Sequence, residues 1–285
     1  MASILVAGAT GKVGQAIILA LKHHPLRALV RDQARLGAAA GKVHEIFAAE
    51  ARDPASLRGV CKDIDIVISS IGGSLQLGRT PSKSGYWDVD YQANKNLLAE
   101  AKQAGVRKFI YVSVFKAPEI KGSAYFEAHA AFEEELKRSG LDYAIIRPTG
   151  IYYIFEEFVN FARRGIVPLF GDGSAKTNPI DEHDVARICV EAIDASQTIY
   201  DVGGPEVFTR REIGELCFQA LGKKPRFIKY PAGLMRAFIK PLKLFDQRLF
   251  DLMDFAILVN TVDFVAPRQG HNKLENYLNH LTASG

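Results

Sequence analysis

The sequence predicts an α/β protein built on a doubly wound parallel sheet, with a small α/β lobe towards its C-terminal end. Two observations carry this prediction. Short runs of β-branched residues alternate with helical patterns over the first two thirds of the 285 residues, and a glycine-rich turn joins the first run to the first helix. Alternation of this kind is typical of parallel strands joined by crossover helices. Right-handed crossovers would then stack the strands into one sheet.

The individual elements follow from these periodicities. Strands are predicted at 3–7, 26–30, 43–48, 65–71, 107–113 and 142–147. Helices are predicted at 12–23, 54–61, 87–104 and 124–139. We therefore expect a first domain at residues 1–150 and a C-terminal lobe at 151–285, packed on the same domain.

After Pro148 the regular alternation of strand and helix patterns ends. The lobe is predicted to contain a helix near 152–164, a strand at 167–170, a helix at 183–194, a strand at 198–202 and a helix at 209–221. The stretch 223–248 follows, and it interleaves basic residues with aromatic residues and leucines. Such a stretch is either a contact surface for an anionic membrane or a protein partner, or a two-sided surface helix with solvated lysines. The second interpretation is favoured.

The amino-acid composition argues against several classes of protein. A content of 48% hydrophobic and 24% charged residues describes an ordinary globular chain, and a net charge of +4 is too small to predict nucleic-acid binding. The three cysteines are far apart, which favours buried core positions in a reducing compartment over disulfides or a zinc site. The N-terminal apolar run lacks the basic region of a signal peptide, so we expect a cytoplasmic protein.

Two other segments are expected to have ordinary structural roles. Aspartates interrupt the apolar segment near the C-terminus, which argues against a membrane-spanning helix there. The acids and histidine in PIDEHDV are explained by helix capping and the helix dipole, so no metal site is predicted.

The glycine-rich turn indicates a nucleotide site. In ILVAGATGKVGQAI, Gly8, Gly11 and Gly14 lie between the first strand and the first helix. Glycines there permit a tight turn and a close approach of the backbone to a pyrophosphate, which then meets the N–H groups of the helix N-terminus. The spacing is GxxGxxG instead of the usual GxGxxG, so the flanking strand and helix carry the prediction.

The end of the second strand indicates which dinucleotide is bound. Arg31, in LVRD, stands near the position where an acid would bind the ribose of NAD. A guanidinium suits a 2′-phosphate, and Lys12 could add a second charge. The alternative is a solvated pair of Arg31 with Asp32. The residue types favour NADP(H).

Several motifs together resemble a known family. They are GATGKVG, ALVRD, AEARDPASLRGVCKDIDIVISSIG, NKNLLAEAKQAGVRKFIYVSV, EEELKRSGLDYAIIRPTGIY and DVGGPEVFTRREIGEL. In order and spacing they resemble the atypical, NmrA-like branch of the extended short-chain dehydrogenase/reductase superfamily over about residues 3–222. The resemblance implies a Rossmann-type fold, with an NADP-binding domain at 1–150 and a substrate or partner lobe at 151–285.

The resemblance also implies a set of cofactor contacts. Those implied for the pyrophosphate are Gly8, Thr10, Gly11, Lys12, Val13 and Gly14, and Arg31 would meet the 2′-phosphate. Those implied for the adenosine are Glu50, Ala51, Ser70, Ile71 and Gly72, and Pro148 to Ile151 would flank the nicotinamide. Glu50 stands where the family usually has aspartate. Loops such as 73–86 and 165–180 would line the substrate site.

The stretch AYFEAHAAFEEELKRSG predicts a helix with Tyr125 and His129 on one face. In catalytic members of the family a tyrosine transfers the proton, and a lysine four residues later lowers its pKa from about 10. His129 stands in place of that lysine, and Ser113 matches the catalytic serine. An imidazole would lower the tyrosine pKa less. The structural alternatives are a packed aromatic at Tyr125 and an ordinary polar surface residue at His129.

Two functions stay open. The favoured one is an NADP(H)-dependent oxidoreductase acting on an unidentified small molecule, with Tyr125 as acid and His129 holding the ribose or relaying a proton. The alternative is a non-catalytic NADP(H)-binding regulatory or assembly protein. In that case the stretch 223–248 would be its interaction surface.

Overall fold

The computed structural model of the protein describes residues 1–75 and 85–283. These residues form two units. The first contains Met1–Gly73, 85–147 and Glu182–Tyr200, and the second contains Pro148–Asp181 and 201–283. The first unit is therefore assembled from segments that are separated along the chain by part of the second.

The strands in chain order are β1 (Ile4–Ala7), β2 (Leu26–Val30), β3 (Glu45–Ala48), β4 (Ile66–Ser69), β5 (Lys108–Val112), β6 (Asp142–Pro148), β7 (Val167–Phe170), β8 (Lys176–Thr177), β9 (Ile199–Val202), β10 (Phe208–Thr209) and β11 (Phe227–Tyr230). The α-helices are α1 (Lys12–Ala20), α2 (Asn94–Gln103), α3 (Ala124–Lys137), α4 (Glu156–Arg163), α5 (Glu182–Glu191), α6 (Arg210–Ala220), α7 (Ala232–Ile239), α8 (Leu242–Phe245), α9 (Gln247–Val259) and α10 (Leu274–Ala283).

A seven-stranded sheet has the strand order β3-β2-β1-β4-β5-β6-β9. Neighbouring strands from β3 to β6 run parallel. The Ile145 amide donates to the Thr198 carbonyl and the Thr149 amide to the Val202 carbonyl, a parallel pattern for β9 as well. The predicted doubly wound parallel sheet is confirmed. Its order reverses between β1 and β4, and the carboxyl ends of strands at such a point form the usual ligand crevice.

The central strands of this sheet are apolar because both faces are covered. Every residue of β1 and of β4 is buried. Helices α1 and α5 pack against each other, and α2 packs against α3. Continuous apolar runs are what parallel strands between helical layers require. This explains why these strands could be recognised from the sequence.

The helix predicted at 54–61 is wrong. The chain there makes consecutive turns, in which the Leu57 amide donates to the Pro54 carbonyl and the Val60 amide to the Leu57 carbonyl. Gly59 lies at φ +81°, in the left-handed region that a right-handed helix excludes. Leu57, Val60 and Cys61 are nevertheless buried in the core. The apolar spacing that predicted a helix is thus satisfied by turns.

Two other segments differ from simple α-helices. The helix predicted at 87–104 begins as a π-helical segment, Trp87–Ala93, and continues as α2. A 3-10 segment that the periodicity did not predict covers Gln33–Lys42. Asp32 begins this segment by accepting a hydrogen bond from the Ala34 amide, which fixes the direction of the chain after β2.

The second unit has its own apolar core. Side chains from α4, β7, α6 and α10 form it, together with the 3-10 segment Tyr152–Phe155. The predicted strand at 167–170 exists as β7, but it pairs in parallel with β11 instead of joining the large sheet. Helix α6 begins with a capping box between Thr209 and Glu212, which satisfies two N-terminal amides.

The basic stretch 223–248 is not a single amphipathic helix. It contains β11, α7, α8 and the start of α9, and α7 and α8 both pack against α9. Several of its large apolar side chains are exposed. Within the described residues, no helix is long and apolar enough to cross a membrane. The three cysteines are buried and free, as predicted.

Candidate functional site

The glycine turn after β1 is closely packed. Gly8 lies at φ +77°, and the Gly11 amide donates to its carbonyl at 2.9 Å. A Cβ atom on Gly8 would lie 2.7 Å from the Ser70 carbonyl, and one on Gly14 would lie 2.2 Å from the Gly8 carbonyl oxygen. Glycine is therefore required at both positions. The turn thus packs closely against Ser70, which follows β4, and the first turn of α1 packs against Gly8.

The N-terminus of α1 has the properties of an anion site. Gly11 is its N-cap, and within the described residues no side chain caps this end and no acid lies in the first turn. Uncapped amides and the helix dipole both favour a negative group. Lys12 is exposed at this end, whereas the Val13 side chain is buried. Val13 therefore offers only its backbone to a ligand.

Arg31 follows β2 and is held loosely. Its side chain is 62% exposed, and its Nη1 lies 3.8 Å from Glu50 Oε2. Glu50 instead pairs with Arg52, whose Nε and Nη2 donate to its two oxygens at 3.0 and 2.8 Å. Hydrogen bonding to Arg52 lowers the pKa of Glu50, and burial opposes this effect. Asp32 is used in capping, so Arg31 remains able to turn towards an anion.

The segment after β4 is held by buried polar residues. The amide and hydroxyl of Ser70 both donate to the Ala7 carbonyl, at 3.0 and 3.2 Å. Asn94 donates to the Ile71 carbonyl at 3.2 Å, and the Gly73 amide donates to Asp90. A Cβ atom on the intervening Gly72 would lie 3.2 Å from that carboxylate. Ala51 is buried in the core beside this region.

Asp90 and Asn94 were missed by the sequence analysis. Both are fully buried, although polar residues in a helical stretch are usually exposed. Their spacing of four residues, which places two polar side chains on one helix face, was the only signal in the sequence.

His129 is buried instead of lying on a surface helix. It is only 3% exposed, with Nδ1 at 2.6 Å from the Tyr111 hydroxyl and Nε2 at 3.3 Å from Asp90 Oδ1. Burial, reinforced by nearby carboxylates, raises the pKa of Tyr111 well above its usual value. Because Tyr111 therefore keeps its proton, its hydroxyl can donate to Nδ1, whereas Nε2 has no hydrogen-bond partner among the described residues. The imidazole is therefore held through Nδ1, and its other nitrogen lies close to the Asp90 carboxylate.

Tyr125 lies one helical turn before His129 and is half-buried. The two rings meet edge to face, with centroids 4.7 Å apart, and a similar contact at 5.2 Å joins Tyr125 to Tyr86. Tyr86 and His129 thus hold the Tyr125 ring in place, while part of it stays accessible.

Ser113 belongs to a separate buried cluster. Its hydroxyl donates to Glu133 Oε1 at 2.6 Å, and Arg147 Nε donates to the same oxygen at 2.9 Å. A second Arg147 nitrogen contacts Glu133 Oε2. The hydroxyl is therefore already engaged by a carboxylate. The sequence analysis did not identify Glu133 or Arg147 as its partners, since both resemble surface charges.

Pro148 and Ile151 lie in the second unit. Pro148 ends β6, and Ile151 forms a bridge with Ile180. The Thr149 hydroxyl donates to the Asn178 carbonyl at 2.6 Å, which fixes the chain between them. Of the loop 73–86, residues 76–84 lie outside the described residues. In the part of the chain that is described, no group of three or more acidic, histidine or cysteine side chains could hold a metal ion.

This chain is similar to several known proteins. Residues 8–196 match a family model described as NAD(P)H-binding. The chain is 29% identical over 259 residues to a chloroplastic divinyl chlorophyllide a 8-vinyl-reductase of Cucumis sativus, covering 82% of this chain and 60% of the relative. It is 22% identical over 266 residues to the photosystem II assembly factor Ycf39 of Trieres chinensis, covering 90% and 82%.

The fold resembles solved structures of reductases. For an NADPH-dependent quinone oxidoreductase, QOR2 of Escherichia coli complexed with NADPH, the TM-score is 0.74 at 19% identity, covering 98% of this chain and 99% of that one. At this identity the likeness shows the fold alone. The chain spans about three fifths of the length of the vinyl-reductase relative, at 60%.

Proposed function

Because this chain belongs to the NAD(P)H-binding family, we propose that it is an NADP(H)-dependent oxidoreductase of the atypical short-chain dehydrogenase/reductase class, acting on a small molecule. The main support for the proposal is the glycine turn, which connects β1 to the N-terminus of α1, where no side chain caps the helix. Arg31 stands exposed at the end of the neighbouring strand.

The residues present fit a dinucleotide with an extra phosphate. The turn at Gly8 has no side chain in the way of a diphosphate, and the first amides of α1 would hold that group. Arg31 would hold the 2′-phosphate. The pairing of Glu50 with Arg52 reduces the repulsion that a free carboxylate would exert on this phosphate. The same pairing supports NADP(H) over NAD(H) as the cofactor.

The proton that accompanies hydride transfer is assigned to Tyr125. When bound, the nicotinamide supplies or accepts the hydride. The Tyr125 hydroxyl would hold the proton, because its ring is half-accessible and fixed by neighbours. His129 is too deeply buried to hold the ribose directly, so we assign it a positioning role through its ring contact with Tyr125.

The direct test is cofactor oxidation by the pure protein with a panel of carbonyls, enones and quinones. Replacing Tyr125 by Phe should lower turnover about 100-fold or more, the usual contribution of a general acid, while NADPH binding by calorimetry stays unchanged. Tyr91→Phe is the matched control, because Tyr91 bonds to the surface residue Glu135. Full turnover by Tyr125→Phe would exclude Tyr125 as the acid.

The second candidate is a non-catalytic NADP(H)-binding regulatory or assembly protein. Two observations favour it: the Ser113 hydroxyl is engaged by Glu133, and His129 replaces the expected lysine in a buried position. Similarity to an assembly factor points the same way. This function predicts NADPH binding and a raised melting temperature, with no turnover on any member of the panel.

A further inference from the structure

We propose that α7 and α8, with the basic residues of 223–248, form a surface that docks this chain onto an anionic lipid bilayer. We call it the basic-apolar surface. It lies entirely in the second unit, and the inference goes beyond the proposed function because it does not depend on the cofactor or on turnover.

The apolar part of the surface consists of large protruding side chains. Leu234 and Phe238, one turn apart on α7, are 67% and 77% exposed, and Leu244 and Phe245 on α8 are 85% and 86% exposed. Ile239, by contrast, is buried. Single exposed leucines are common on proteins, but four bulky side chains between 234 and 245 form a concentrated apolar patch.

These side chains are not an unfilled part of the core. Both short helices pack against α9, and Ile239 supplies buried apolar contact from α7. One side of these helices therefore packs against α9, and the other side exposes apolar side chains to solvent. An amphipathic helix that lies on a membrane has the same division between a packed or polar side and a leucine- and phenylalanine-rich side.

The charge of the surface indicates which partner it fits. The stretch contains eight basic residues and one acid. They are Lys223, Lys224, Arg226, Lys229, Arg236, Lys240, Lys243 and Arg248, with Asp246 as the acid. The whole chain has 36 basic and 32 acidic residues, so outside this stretch the acids slightly outnumber the basic residues. Arg236, Lys240 and Lys243 lie on or next to α7 and α8, between the exposed apolar residues in sequence.

Asp246, whose carboxylate caps α9 by accepting a hydrogen bond from the Leu249 amide at 3.0 Å, offsets only one of the eight positive charges of the stretch. Asp251 and Asp254 of α9 are partly buried, which raises the pKa of both carboxyls, while Lys243 acts on Asp251 and Arg236 on Asp254 in the opposite direction. The basic side chains of the stretch are mostly exposed. The complement of this surface is therefore anionic.

A bilayer suits this surface better than a folded acidic protein does. Side chains more than four fifths exposed, such as Leu244 and Phe245, protrude with few neighbours. A protein partner would need pockets shaped for each of them, whereas the acyl region of a membrane is fluid and needs no matching shape. Lysines and arginines around them would meet the phosphate groups of the lipid heads.

The test is co-sedimentation of the full chain with two kinds of vesicle, with and without NADPH. One kind is phosphatidylcholine alone, and the other contains about one third phosphatidylglycerol to supply negative charge. We expect binding to the anionic vesicles only, weakened by salt as the screening length falls from about 10 Å at 0.1 M to about 3 Å at 1 M.

Two sets of variants assign the binding to this surface. Replacing Phe238, Leu244 and Phe245 together by Ser should weaken anionic-vesicle binding at least about tenfold, and Lys240→Gln with Lys243→Gln should weaken it and flatten its salt dependence. These positions are exposed, so the melting temperature should be unchanged. The apolar control is Val265→Ser, which removes a side chain that is 40% exposed elsewhere in the second unit.

A fluorescent reporter gives a second measurement. The chain has one tryptophan, Trp87, so Trp87→Phe combined with Phe238→Trp places a single indole on α7. A shift of its emission to shorter wavelength on addition of anionic vesicles would show that position 238 enters the apolar layer.

Several results would overturn the proposal. These are no vesicle binding at all, equal binding to neutral vesicles, or unchanged binding by the serine variant. Self-association in light scattering that the serine variant abolishes, without vesicle binding, would mean that a second copy covers the surface. Saturable binding to an acidic protein but not to anionic vesicles would likewise exclude a bilayer as its partner.

Discussion

Replacement of Arg31 by Ala tests the cofactor assignment most directly. A hydrogen bond to a charged group is worth about 1.5–3 kcal/mol. Arg31 is 62% exposed, so solvent screening places its contact with a 2′-phosphate at the lower end of that range. Since 1.4 kcal/mol corresponds to a tenfold change in affinity, Arg31→Ala should weaken NADPH binding about tenfold. NADH lacks this phosphate, and its affinity should not change.

Isothermal titration calorimetry with both nucleotides measures the difference, and a salt series should show a shallower dependence for the variant. Glu50→Gln is the complementary change: it removes the carboxylate 3.8 Å from Arg31 and should strengthen NADPH binding selectively. Lys42→Ala, at the exposed end of the 3-10 segment, controls for general loss of charge. Equal losses for NADPH and NADH in Arg31→Ala would refute the 2′-phosphate assignment.

Three further predictions concern the structure that supports the site. Gly14→Ala would place a Cβ 2.2 Å from the Gly8 carbonyl oxygen, so the free energy of unfolding, measured by thermal denaturation, should fall by about 1–3 kcal/mol. An unchanged melting temperature would contradict the close packing of this turn. Glu133→Gln leaves the buried Arg147 without its charged partner, so the free energy of unfolding in urea should fall by about 3–5 kcal/mol. Glu134→Gln, on the exposed side of α3, is the control and should change it by less than about 1 kcal/mol. Similar losses for both variants would contradict the buried cluster. Burial raises the pKa of all three cysteines to about 12, so they should resist Ellman's reagent at pH 8 until the protein unfolds. Because the folded state favours the protonated thiols, their contribution to stability is complete below the ordinary thiol pKa and is lost as the pH rises towards 12. Rapid labelling of the native protein by Ellman's reagent would contradict the burial of the thiols.

The sheet could be predicted from the sequence because its signals are local. Strands such as β1 and β4 are buried on both faces, and their apolar runs are bounded by turn residues. The helix at 54–61 was predicted from the same kind of pattern and was wrong. Apolar spacing reports which residues are buried, and it does not report that Gly59 adopts a left-handed conformation.

The surroundings of the candidate site could be predicted only in part. The spacing of Tyr125 and His129 correctly placed both on α3. The burial of His129 depends on Tyr111 from β5 and on Asp90, which precedes α2. These contacts join elements distant in sequence, and no local pattern records them. The engagement of Ser113 by Glu133 is hidden for the same reason.

The interleaving of the two units along the chain bears on how the protein folds during synthesis. The edge position beside β6 is filled by β9, and α5 packs on α1 near the other end of the sequence. The Lys108 ammonium bonds to the carbonyls of Ile193 and Ala195, at 3.2 and 2.8 Å. A nascent chain therefore cannot complete the seven-stranded sheet until β9, which ends at Val202, has emerged from the ribosome. A fragment ending at residue 150 would expose an unpaired strand edge, and such edges promote aggregation.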